Sequence, residues 1–87
     1  MQIREKVAVL TGAGGGIGRA LALLMAEQGC HLALVDINPA PLEETAILAR
    51  AHGIRVSEHP MDVSRRETIA ELPDAVLTEH GQVDLLI

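Results

Sequence analysis

A parallel β-sheet between two layers of helix, an α/β fold, is predicted by three observations. Short apolar runs alternate with helical patterns along all 87 residues. The stretch TGAGGGIGRA (residues 11–20), directly after the first apolar run, is half glycine. The second apolar run, LALVD, ends on the carboxylate of Asp36. Strand–helix alternation of this kind implies parallel strands with helices on the sheet faces.

The elements follow in order. VAVLT (7–11) and LALVD (32–36) are short, apolar and rich in β-branched or aliphatic residues, as strands buried on both faces are. IRVSEH (54–59) alternates Ile54 and Val56 with polar residues, which predicts an edge strand or one exposed face. VDLLI (83–87) reads as a fourth strand. A helix is predicted over 16–28, with Ile17, Ala20, Leu21, Leu24 and Gln28 along one face and Gly29 as its stop. A second covers 39–52, with Leu42, Ala46 and Ala49 as its apolar stripe. Asn38 is its expected N-cap, Pro39 its first residue and Gly53 its end. The third covers 65–80, with Ile69, Leu72 and Val76 inward and Gly81 closing it. Ser64 and Glu67 have capping-box spacing, and Pro73 is expected to kink or split the helix. Right-handed crossovers then predict the strand order 3-2-1-4.

Composition narrows the partners. Twelve acidic and seven basic residues leave a net charge of −5, which disfavours a phosphate-backbone partner. No basic run exists, so neither nucleic acid nor a membrane surface is expected. The absence of Phe, Tyr and Trp makes the core aliphatic and removes base stacking. A lone cysteine, Cys30, builds no disulfide framework, so a reducing cytoplasm is the expected setting and a small buried side chain its expected role. Arg4 and Lys6 precede an apolar stretch, but glycines and Arg19 interrupt it, unlike a signal peptide. His31, His52, His59 and His80 lack metal-ligand spacing. Glu43, Glu44 and Arg50 read as a solvated helix face, and Asp84 as the start of a strand near a turn.

The glycine run lies where an open parallel sheet binds ligands, beyond the carboxyl end of a strand and before a helix. Glycine there allows a tight turn and a close approach of backbone to a pyrophosphate, with the helix N-terminus favouring anions. The common fingerprint G-x-G-x-x-G fails whether started at Gly12 or at Gly14, and no P-loop lysine follows. T-G-x-x-x-G-x-G fits through Thr11, Gly12, Gly16 and Gly18. T-G-x-x-G-x-x-G also fits, through Gly12, Gly15 and Gly18. Asp36, 18 residues after Gly18, is placed to accept hydrogen bonds from ribose hydroxyls, or else to form a turn before Asn38 and Pro39. Asp62 and Val63 follow the third strand, where Asp62 could simply start a turn.

Taken together, TGAGGGIG, LVD, MDVS and GQVDLLI resemble the N-terminal half of the short-chain dehydrogenases/reductases, in order and across the whole chain. The resemblance implies a Rossmann-type three-layer sandwich with a partial parallel sheet. It implies that Gly12, Gly16 and Gly18 form the pyrophosphate turn and that Ile17 contributes its backbone. Gly15 enters through the second glycine pattern, that of the extended branch; MDVS, the long third helix and VDLLI favour the single-domain branch. Asp36 is implied at the adenosine ribose, and Asp62 and Val63 at the adenine ring. Asp36 repels a 2′-phosphate, and no Lys or Arg lies within residues 12–18 or just after Asp36, so NAD is favoured over NADP.

The family's Asn-Asn-Ala-Gly, serine and Tyr-x-x-x-Lys motifs match nothing in these 87 residues, so no catalytic residue is assigned. We expect residues 1–87 to be the N-terminal part of a single dinucleotide-binding domain. The intact protein is expected to interconvert a small alcohol and a carbonyl by hydride transfer, as a homo-oligomer. A non-catalytic nucleotide-binding or interaction module is the rival reading. A methyltransferase-like module is a third, disfavoured because Thr11 stands where an acidic residue is usual.

Overall fold

The computed structural model describes residues 2–87. Its elements are β1 (Val7–Thr11), α1 (Gly16–Glu27), β2 (His31–Asp36), α2 (Pro39–Arg50), β3 (Val56–Pro60), α3 (Arg66–His80) and β4 (Leu85–Leu86). The four strands form one parallel sheet in the order β3-β2-β1-β4. The fold class and strand order match those the sequence predicts. β4 is shorter than the expected 83–87. Asp84 precedes it, and its carboxylate accepts the Val7 N–H at 2.9 Å and the Gln82 amide at 2.7 Å. These donors hold the Asp84 carboxyl below the usual carboxylate range. The residue thus ends the loop by bonding to the start of β1.

Side-chain alternation along β1 and β2 divides the core. Ala8, Leu10, Leu32 and Leu34 point to the side of α1 and α2. Val7, Val9, Ala33 and Val35 point to α3, against Leu72 and Val76. α2 buries Leu42, Thr45, Ala46 and Ala49, the expected stripe extended by one threonine. α1 differs from expectation. It buries Ala22, Met25 and Ala26, while Ile17 is 88% and Leu24 59% exposed. This helix is apolar almost all round, so periodicity does not select a face. Its small residues do, because they let the helix lie close to the sheet. In α3, Leu72 and Val76 are buried but Ile69 is exposed.

The helix ends bear out one expectation and correct another. Asn38 occupies the N-cap of α2, but its side chain makes no capping bond. At α3 the N-cap is Arg65, again without a side-chain bond, and the Ser64–Glu67 capping box does not form. Ser64 instead donates its hydroxyl to Asp62 at 2.6 Å. α3 runs through Pro73 as one helix, so the proline does not split it.

β3 is an edge strand, as expected, but its inward residues are polar. Ser57 and His59 are buried beneath α3, while Val56 packs toward α2. Ser57 Oγ lies 2.7 Å from His59 Nε2 and 2.8 Å from His80 Nε2, in the last turn of α3. One hydroxyl proton cannot serve two acceptors. At least one ring therefore donates its Nε2–H to Ser57 Oγ. His80 Nδ1 is buried and has no partner among the described residues. Protonating either ring would bury a charge.

Burial accordingly lowers the pKa of both histidines from 6.5. The charges of Arg55, His31 and His59 push His80 the same way, and Glu79 opposes the shift at both rings. A lowered folded-state value means that the unfolded chain binds more protons as pH falls. This stability is complete above pH 6.5 and is lost from there toward the lower folded-state values. Unfolding free energies from urea titrations are therefore expected to fall between about pH 7.5 and pH 5.5, with a shallower fall in the His59→Gln/His80→Gln protein. Leu34 is fully buried between β2 and the α1–α2 layer. The same titrations should show Leu34→Ala losing about 2–5 kcal/mol.

Candidate functional site

The carboxyl ends of β1, β2 and β3 meet at the glycine turn. After Thr11 the chain passes through Gly12 at φ +67° and enters α1 at Gly16 with φ +56°, a region that side chains with a Cβ rarely adopt. A Cβ at Gly18 would overlap the Gly12 carbonyl, so α1 lies directly on the turn. The outer side is open: a Cβ placed on Gly12, Gly15 or Gly16 meets no atom within 4 Å. Gly15 is the N-cap of α1, and no acidic residue occupies the first turn. The first amides of the helix have no intrahelical acceptor. An open glycine wall with unpaired amides at a helix N-terminus is a place where an anion is stabilised.

The turn is pinned to β2. Ala13 N–H donates to the Val35 carbonyl at 3.0 Å. Gly14 N–H donates to Asp36 Oδ2 at 2.8 Å, and Asn38 N–H donates to Asp36 Oδ1 at 3.0 Å. Met61 N–H donates to the Asp36 carbonyl at 3.0 Å, which brings the end of β3 alongside. There Asp62 Oδ1 accepts the Ser64 N–H at 2.9 Å and the Ser64 hydroxyl. These two donors hold the Asp62 carboxyl below the usual range. The Asp62 carbonyl also accepts the Thr68 hydroxyl. Asp62 therefore does form the turn that leads into α3.

Gly12, Asp36, Asp62 and Val63 surround one hollow of about 210 Å³. Gly15, Gly16, Ile17 and Gly18 lie outside it, at the N-terminus of α1. Ile37 and Met61 also wall the hollow, two residues that sequence reasoning did not single out. Ile37 had a signal, a large apolar side chain immediately after Asp36, and it is exposed. Arg19 was missed because it falls one position beyond the glycine window. It bonds to the Gly14 carbonyl at 2.8 Å and to Glu44 at 3.1 Å, so Glu44 is not merely solvated. A larger hollow of about 350 Å³ lies between α3 and β4; Val9, Leu72, Val76 and Leu86 line it and no glycine-turn residue does. Among the described residues, no group of three or more His, Cys, Asp or Glu is arranged to hold a metal ion. No helix among them is long and apolar enough to cross a membrane.

The chain is similar to known proteins in sequence and in fold. The chain is 47% identical over 78 residues to the Mycobacterium tuberculosis protein SadH, covering 90% of this chain and 28% of that one. It is 39% identical over 85 residues to the 2,3-dihydro-2,3-dihydroxybenzoate dehydrogenase of Bacillus subtilis, covering 98% of this chain and 33% of that one. The NAD-bound structure of a short-chain dehydrogenase/reductase from Burkholderia phymatum superposes with a TM-score of 0.93 at 41% identity, over 99% of this chain and 31% of that one. The chain thus spans about a third of the length of the relatives it matches. The short chain dehydrogenase family model matches residues 6–87, and the chain belongs to that family.

Proposed function

We propose that these residues bind NAD for a short-chain oxidoreductase that interconverts an alcohol and a carbonyl. The observation that carries the reading is the meeting of an open glycine wall, the Asp36 carboxylate and the Asp62–Val63 corner at one end of the sheet. Gly12, Gly15, Gly16 and Gly18, with the backbone of Ile17, take the pyrophosphate at the N-terminus of α1. Asp36 takes the adenosine ribose, and Asp62 and Val63 border the adenine within the hollow. The NAD-bound structures among the relatives, xylitol dehydrogenase included, support this assignment.

In this role the chain binds and orients. The first amides of α1 neutralise phosphate charge without any side chain. The Asp36 carboxylate has about four lone-pair directions, and two are taken by Gly14 and Asn38, which leaves two for ribose hydroxyls. A 2′-phosphate there would meet that carboxylate, which favours NAD over NADP. The bound nicotinamide supplies the hydride chemistry. None of the 87 residues is assigned a catalytic proton transfer. We assign residues 1–87 to the first part of a single dinucleotide-binding domain. Their coverage of about a third of each relative supports this assignment.

Calorimetric titration with NAD and NADP tests the reading. Binding of NAD in preference to NADP is expected. Asp36→Ala should weaken NAD about tenfold or more, the loss of hydrogen bonds to a charged acceptor, and narrow the preference. Equal binding of the two dinucleotides by the unsubstituted chain would sink the carboxylate argument. Gly18→Ala should abolish binding, because its methyl group displaces the Gly12 carbonyl and opens the turn.

A further inference from the structure

Both backbone polar groups of Gly14 are held by side chains. Its N–H donates to Asp36 Oδ2, and its carbonyl accepts Arg19 Nη2, each at 2.8 Å. Gly14 is buried, and a Cβ there would sit 2.8 Å from the same Asp36 oxygen and 3.3 Å from Pro41 Cβ. The turn therefore has no slack at this residue. Arg19 also reaches α2. Its Nη2 approaches the Pro41 carbonyl at 3.0 Å and Glu44 at 3.1 Å, and its Nε donates to Thr45 Oγ1 at 2.9 Å. Thr45 is fully buried and donates its own proton to the Pro41 carbonyl at 3.2 Å. An exposed Arg–Glu pair alone would carry little weight. The distinguishing feature is that one guanidinium joins α1, the glycine turn and α2.

We infer that Arg19 is a positioning residue that aims the Asp36 carboxylate, and so sets the preference between NAD and NADP, by fixing Gly14 from behind. The inference rests on the dinucleotide reading of the site. Asp36 is braced at Oδ1 by Asn38 and at Oδ2 by Gly14, so the direction of its remaining lone pairs follows the Gly14 amide. The Gly14 carbonyl belongs to the next peptide, so holding the N–H at Asp36 and the C=O at Arg19 fixes the two peptide planes on either side of the Gly14 Cα. Arginine suits the task because its planar fork reaches several acceptors at once, which a lysine cannot do. The same contacts turn the cation inward. The two Nη2 protons are shared among two carbonyls and Glu44, so a positive charge one residue past Gly18 is not presented to a 2′-phosphate.

The test uses the full chain as wild type, Arg19→Lys and Arg19→Met. Each is titrated with NAD and NADP by calorimetry, and amide spectra are recorded without cofactor. In Arg19→Met, NAD binding should weaken about tenfold, the loss of one charge-assisted hydrogen bond, while NADP binding changes by less than that. The amide resonances of Gly14 and Asn38 should both move, although Asn38 makes no hydrogen bond to Arg19. Arg19→Lys should recover part of the ratio, since one ammonium proton can still reach the Gly14 carbonyl. A plain structural clamp would lower the melting temperature of both variants with the NAD-to-NADP ratio and the Asn38 resonance unchanged; that result overturns the inference. If Arg19→Met does not fold, the same two readouts in Arg19→Lys decide. A wild-type chain that binds neither dinucleotide defeats the reading of the site instead, and the specificity claim falls with it.

Discussion

The close approach of α1 to the glycine turn is the constraint on which the site depends. Without a side chain at Gly18, the helix rests on the Gly12 carbonyl, and the end of β1, the turn and the start of α1 become one block. The parallel register then carries that block across the sheet. Thr11 stands opposite Val35, and Asp36 stands opposite Pro60. Backbone bonds from Ala13 to Val35 and from Met61 to Asp36 extend the pairing just past the strand ends. Residues far apart in sequence, Gly12, Asp36 and Asp62, therefore arrive at one hollow through backbone geometry. Their side chains need supply only the final contacts.

This backbone logic explains what the sequence reveals and what it hides. Strand order follows from alternation and crossover handedness, both local or nearly universal rules. The glycine turn is legible because its spacing reflects steric demands on single residues. The buried face of α1 is not, because Ala, Leu and Met surround that helix and no period stands out. Ser64 and Glu67 have the spacing of a capping box, yet the nearer carboxylate of Asp62 captures the serine. A spacing rule does not weigh that competition. His59 and His80 read as isolated polar residues. Their shared partner, Ser57, appears only once β3 and α3 are packed together.

The two sides of the sheet are built to different standards. On the α1–α2 side, Ala8, Ala22, Ala26, Ala46 and Ala49 allow two helices to pack closely on the sheet. On the other side α3 stands alone, with polar groups beneath its last turn. Regions with fewer buried apolar contacts open more readily than the core. The glycine turn belongs to the two-helix side, and the Asp62–Val63 corner leads into α3. In the proposed role, the phosphate half of the site is thus the rigid half, and the adenine half rides on the more easily opened helix.

Asp36 shows why a structural and a functional reading of one residue need not compete. Its position before Asn38 and Pro39 suits a turn-former, and Asn38 N–H does donate to Oδ1. The same carboxylate receives Gly14 N–H on Oδ2 and so fastens the glycine turn to β2. A carboxylate has acceptor capacity beyond two donors. Those two structural bonds also hold the side chain in one orientation, so its ordering is complete before any ligand arrives, and pre-ordered groups bind at lower entropic cost. The turn bond is therefore part of how a carboxylate at this position could recognise a ribose. A residue with one role alone, free to rotate at the mouth of the site, would recognise it less well.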